Sequence, residues 1–126
     1  VGGVKLRILG DSVRLRLSQS DVQTLLQSGR VEERTHFPSG AVLRYAVEAG
    51  EGEAIEAELD GTNVVVRIPR ATVTHWGESD EVTLEAQQSV GPDQTLALLI
   101  EKDFKCAVPR PGEEDYDGFP NPDVTC

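Results

Sequence analysis

The sequence predicts a mainly β protein with two short helices, an α+β chain in which one strand–strand–helix–strand–strand unit is written twice. Three observations carry this reading. Short stretches alternate apolar and polar residues with a period of two, as half-buried strands do. Two glycine turns, at Gly10 and Gly61, each lead into an alternating strand and then a helix start. The two halves also align at a constant offset of 51 residues, which places Gly10, Val13, Arg16, Val22, Ser28 and Val31 on Gly61, Val64, Arg67, Val73, Ser79 and Val82.

The first unit begins with Val4 to Ile8, where Val4, Leu6 and Ile8 alternate with Lys5 and Arg7. Leu9-Gly10-Asp11-Ser12 supplies turn chemistry, and Val13 to Leu17 alternates again with Arg14 and Arg16 outward, so a hairpin with a basic outer face is expected. Ser18, three residues before Asp21, resembles a capping box. Val22, Leu25 and Leu26 form a short helical stripe that Gly29 is suited to end. Strands follow at Val31 to Phe37 and Ala41 to Glu48, joined by Pro38-Ser39-Gly40.

Ala49-Gly50-Glu51-Gly52 marks the boundary between halves, and the second unit keeps the order of the first. Strands are expected at Ala54 to Leu59 and Val64 to Ile68, and Pro69 falls where a helix tolerates proline, in its first turn. Val73 and Trp76 make a brief apolar stripe before Gly77, and strands at Glu81 to Gln88 and Thr95 to Glu101 complete the unit. The final strands align when two residues are added to the Val90–Asp93 loop. Residues 1–102 are therefore read as a single domain of two ββαββ repeats, 4–48 and 54–101, with residues 103–126 as an acidic, Pro-rich C-terminal arm.

A chain of 126 residues, 38% hydrophobic, suffices for one core. Its formal charge of -10 opposes nonspecific attraction to phosphate backbones and anionic membranes. The charge is uneven: residues 1–50 sum to +2 and the remainder to -12. An anion-binding surface is thus sought in the first half. No apolar run is long enough to cross a bilayer and no secretory signature opens the chain, so a cytoplasmic protein without membrane contact is expected.

Gly61-Thr62-Asn63-Val64-Val65-Val66-Arg67-Ile68-Pro69, followed by a short helix and Ser79-Asp80-Glu81-Val82-Thr83-Leu84-Glu85, resembles the swapped-hairpin family of AbrB-like transition-state regulators and MazE-like antitoxins. Gly10 to Leu17 is a second copy with Ser18 in place of the proline. The resemblance implies an internally duplicated swapped-hairpin β-barrel, a pseudo-dimer within one chain, either monomeric or paired as a homodimer. The whole chain also looks like a group of small uncharacterised bacterial proteins, a likeness that supplies no function.

That family resemblance implies DNA contacts from Lys5, Arg7, Arg14, Arg16 and Arg67. At the offset of 51, however, Lys5 and Arg7 fall on Glu56 and Glu58, and Arg14 falls on Val65. A symmetric DNA reader presents cations from both halves, so the reversal favours complementary pairs between Lys5/Arg7 and Glu56/Glu58. In the arm, Phe104, Tyr116 and Phe119 stand among acids; antitoxins of this kind use such a tail to wrap a basic toxin, whereas the structural alternative folds the arm back on its own sheets.

Cys106, Cys126, His36 and His75 are the available metal ligands or thiol partners, but they lack the close spacing of a zinc site. No catalytic residue and no cofactor is assigned, because no base, orienting group or phosphate loop accompanies them. The expected role is a non-catalytic binding or regulatory module on an antitoxin-like scaffold with a protein partner. The alternatives are a DNA-binding transcriptional regulator and a metal- or thiol-dependent protein.

Overall fold

The alternating segments form eight strands, and the two apolar stripes form helices. The structure, a computed structural model, describes residues 3–104 and residue 119. Among the described residues the elements are, in order, β1 (Lys5–Ile8), β2 (Ser12–Leu17), α1 (Gln19–Ser28), β3 (Arg30–His36), β4 (Val42–Gly50), β5 (Glu56–Asp60), β6 (Asn63–Pro69), α2 (Arg70–Glu78), β7 (Thr83–Gly91) and β8 (Gln94–Lys102), with a 3-10 turn at Pro38–Gly40. The chain is mainly β with two helices, as the pattern predicts.

Helix α1 starts where its caps dictate. Ser18 Oγ accepts from the Asp21 amide, and Asp21 Oδ2 accepts in return from the Ser18 amide at 3.0 Å. Gly29 ends the helix in the left-handed region at φ 77, its amide donating to the Leu25 carbonyl. Helix α2 is capped differently. Pro69 closes β6 and stands before the first turn, not within it, and Gly77 lies inside the helix.

The strands make two four-stranded sheets, ordered β1-β2-β8-β7 and β3-β4-β6-β5. Each takes one hairpin from each half of the chain. β2 runs parallel to β8, from Ser12↔Ala97 to Leu17↔Lys102, and β4 runs parallel to β6, from Arg44↔Asn63 to Gly50↔Pro69. The pairing Lys5↔Arg16 recurs as Glu56↔Arg67 at an offset of 51. Val31↔Val47 recurs as Leu84↔Ile100 at an offset of 53.

The two additional residues of the second half therefore lie between α2 and β7, not in the Val90–Asp93 loop. Leu84 takes the place of Val31, and both are buried, whereas Val82 is exposed. The physical reason is the exit from the helix: Gly29 alone turns α1 into β3, but α2 leaves through Ser79, whose backbone is extended, and needs Ser79 to Val82 to reach β7.

The expected barrel does not form, since the two sheets remain separate. Where edge strands β5 and β7 approach, a side chain stands in for strand pairing. The Gln88 amide accepts from Ala57 N–H at 2.8 Å and donates to Ala57 C=O at 3.3 Å. The proposed pairing of Lys5 and Arg7 with Glu56 and Glu58 fails for the same reason, because β1 and β5 belong to different sheets.

Between the sheets and beneath the helices lie Leu15, Leu17, Leu25, Val47, Val66, Ile68, Trp76, Leu98 and Ile100, all fully buried. The two helices pack together at Leu26 and Gly77. A β-carbon at Gly77 would stand 2.8 Å from Leu26 Cδ2 and 3.1 Å from its Cγ, so glycine is retained in a helix interior despite its unfavourable propensity.

Replacing Gly77 by alanine sets a helix-propensity gain of about 1 kcal/mol against an overpacking cost of about 1–3 kcal/mol. Urea unfolding of Gly77→Ala is expected to show a net loss of roughly 1 kcal/mol. In a Leu26→Ala background, where the crowding atoms are gone, the same substitution is expected to be neutral or stabilising.

Candidate functional site on the basic hairpin

Period-two alternation turns Leu15 and Leu17 into the core and Arg14 and Arg16 outward, and antiparallel pairing sets Lys5 opposite Arg16 and Arg7 opposite Arg14. Four cations thus share one face of two adjacent strands. They surround a shallow depression of about 200 Å³ floored at Leu6, and a second of about 140 Å³ lies beside it between Arg7, Leu9, Ser12 and Arg14.

Counter-charge comes from one side only. Glu101, next to Arg16 on β8, receives Arg14 Nε at 3.1 Å and Arg16 Nε at 3.5 Å, and its other oxygen accepts from Thr83 Oγ1. Lys5 Nζ lies 2.9 Å from Asp103. Arg7, toward the hairpin tip, makes no ion pair among the described residues. Among the described residues, two carboxylates face four cations here, an excess of positive charge.

The matching face of the other sheet is neutralised. Its row Glu56, Arg67, Glu48, Arg30 alternates in sign across all four strands. Arg67 bridges Glu58 at 2.9 Å and Glu48 at 3.5 Å, and Arg30 bridges Glu48 and Glu32. Hydrogen bonds from Arg30 and then Arg34 hold the Glu32 carboxyl below its ordinary value of 4.5, and the Glu58 carboxylate raises the Arg67 guanidinium. Arg67 is therefore separated from the other four predicted cations and engaged in this lattice.

At the root of the arm a different cluster forms. Lys102 is buried, donates to the Ser79 carbonyl at 2.6 Å, and lies 5.5 Å from the centre of the Trp76 ring and 5.7 Å from that of Phe119. Burial pushes its pKa down, against the pull of Asp80 and Glu81. Phe119 meets Phe104 edge-on at 6.2 Å, and its amide donates to the Asp103 carbonyl. Two of the three predicted partner-binding aromatics thus pack on the protein itself; Tyr116 lies outside the described residues.

Of the four predicted metal ligands the structure describes the two histidines. His36 ends β3 and His75 lies on α2, both exposed, while Cys106 and Cys126 lie outside the described residues. Among the described residues no group of three or more His, Cys, Asp or Glu is placed to hold a metal, and no helix is long and apolar enough to cross a membrane.

Three important residues escaped the sequence reading. Glu101 was legible as an outward position beyond Ile100, but its meeting with Arg14 and Arg16 depends on parallel pairing of β2 with β8. Lys102 and Gln88 carry no local signal, since only tertiary packing makes one a buried cation and the other a clamp on Ala57.

Fold and site together define a two-sheet α+β protein with one cationic hairpin face and one charge-balanced face. The chain belongs to a family of unknown function, DUF7009, whose profile matches residues 4–123. That agrees with the likeness to uncharacterised proteins and brings no relationship to AbrB-like regulators or MazE-like antitoxins. Comparison with curated proteins and with solved structures gave no match.

The charge lattice has a pH signature. Because the folded Glu32 pKa is depressed, its contribution is present above about pH 4.5 and is lost as pH falls through the folded value. Wild type is expected to exceed Glu32→Gln in stability by roughly 0.5–1 kcal/mol at pH 7, with the two converging below the folded pKa. Chemical denaturation across pH 2–7 measures this directly.

Proposed function

We propose that the chain is a tandem duplicate of one swapped-hairpin unit, a pseudo-dimer in one chain, acting as a non-catalytic binding module whose β1–β2 face contacts an acidic protein partner. The duplicate reading is supported by pairings that recur at constant offsets in both sheets and by the exchange of hairpins between halves. The binding reading rests on one observation: Lys5, Arg7, Arg14 and Arg16 share a face on which, among the described residues, Glu101 and Asp103 supply the counter-charge, while the row Glu56, Arg67, Glu48, Arg30 of the other sheet alternates in sign. The sequence alone suggested a basic partner met by the arm or by an exposed sheet face. Packing of Phe104 against Phe119 moves the proposal from the arm to the hairpin.

The overall charge of -10 does not oppose such contact at close range. At physiological ionic strength the Debye length is about 8 Å, so a ligand seated on the hairpin responds mainly to its four cations. A DNA duplex has a larger footprint of phosphates and brings them toward the acids elsewhere on the surface. The DNA-binding alternative is therefore the less favoured use of the same residues.

A fluorescently labelled ten-residue poly-glutamate tests the reading on the full chain. Binding at about 0.15 M salt is expected to weaken as salt rises to about 0.5 M, to fall about tenfold in Arg7→Glu, and to persist in Arg34→Gln. Equal binding by wild type and Arg7→Glu sinks the proposal, and tighter binding of a 20-base-pair duplex transfers the site to DNA.

A further inference from the structure

Resting on that reading, we infer that the partner binds as an extended acidic segment added as a fifth strand to the open edge of β1. The phase of the β1–β2 ladder decides which main-chain groups face outward. Leu9 N–H donates to Ser12 C=O at 3.0 Å, and the register then runs Ile8↔Val13, Arg7↔Arg14, Leu6↔Leu15. In an antiparallel pair, hydrogen-bonded and non-hydrogen-bonded residue pairs alternate. Arg7 and Lys5 therefore spend their main-chain groups on β2, while those of Leu6 and Ile8 point away from the sheet.

The corresponding edge of the other sheet shows what such groups need. There the residue equivalent to Leu6 is Ala57, and both its N–H and its C=O are taken by the Gln88 side-chain amide. At the offset of 53 that relates β7 to β3, the residue equivalent to Gln88 is Thr35. Threonine is too short and has no amide to make the double contact, and its hydroxyl instead lies 3.4 Å from that of Tyr45. Among the described residues Leu6 and Ile8 have no outward main-chain partner. Among the described residues one edge is clamped by a facing side chain and its counterpart is not, although Glu33 of β3 lies near Gly3 just before β1.

The side chains around the open edge specify what fits it. Lys5, Arg7, Arg14 and Arg16 line the outer face, so alternate residues of an incoming strand would be acidic. The intervening residues would lie on the side of Leu6 and Ile8, the latter 58% accessible at the hairpin tip. Strand addition takes affinity from main-chain bonds and specificity from alternate side chains. An alternating Glu/Val segment satisfies both faces.

Amide hydrogen exchange followed by NMR tests this with the peptide Glu-Val-Glu-Val-Glu-Val-Glu and the full chain. In the free protein Leu6 and Ile8 amides are expected to exchange at least tenfold faster than Ala57, and to slow at least tenfold with saturating peptide. Ile8→Pro removes an outward N–H while leaving the β2-facing bonds of β1 intact, and is expected to weaken binding at least tenfold, whereas Ile8→Val stays within twofold. Protection of Leu6 and Ile8 in the free monomer would show that the chain covers its own edge, and protection that grows with protein concentration alongside a dimer mass would show a second copy there; either overturns the inference. Salt-sensitive peptide binding without protection of Leu6 and Ile8 also overturns it while leaving the hairpin face as the binding surface, and absence of binding removes both.

Discussion

Two parallel strand pairings, β2 with β8 and β4 with β6, hold the whole molecule together. Each joins a strand of one half to a strand of the other, so neither half owns a complete sheet. Without β8, the Leu15 and Leu17 side of β2 would lose the strand beside it; without β4, the same is true of Val66 and Ile68. A hairpin pair with one short helix buries too little apolar surface to offset the entropy of ordering it. Interlacing two such units gives Leu17, Ile68, Val47, Ile100 and Trp76 a shared interior.

Pairings between strands so far apart in sequence close long loops before any contact rewards them, which makes the topology intrinsically slow to assemble. Local structure reduces the search. The β1–β2, β3–β4, β5–β6 and β7–β8 hairpins are all sequence neighbours, and the Ser18–Asp21 box and Gly29 define α1 without tertiary help. What remains is to dock preformed hairpins around the α1–α2 contact. There Gly77 permits the close approach of Leu26, at the expense of local helix propensity in α2.

The same backbone plan presents two outer faces with opposite electrostatic outcomes. Along the row Glu56, Arg67, Glu48, Arg30 signs alternate and both arginines find carboxylates, a lattice of individually small terms that leaves little field there. Across β1 and β2, like charges sit opposite one another, an arrangement that costs stability unless a counter-charge arrives. Glu101 and Asp103 supply part of it. The unbalanced remainder, beside an open strand edge and an apolar tip, is the feature that a purely structural role leaves unexplained.

Most of the secondary structure was legible in the sequence, because alternation, caps and turn residues act over a few positions. Val13, Leu15 and Leu17 announce their inward face, Ser18 and Gly29 bracket α1, and the basic exterior of the first hairpin follows from Arg14 and Arg16. What no local rule contains is which strands become neighbours and how close two elements come. The tertiary structure decided that two sheets stand in place of a barrel, that two residues enter before β7 and not within its hairpin, and that Gly77 lies against Leu26. It also decided that Gln88 reaches Ala57 while Thr35 cannot serve Leu6. These outcomes depend on side-chain reach and main-chain direction across chain segments far apart in sequence, quantities that exist only once the hairpins have docked.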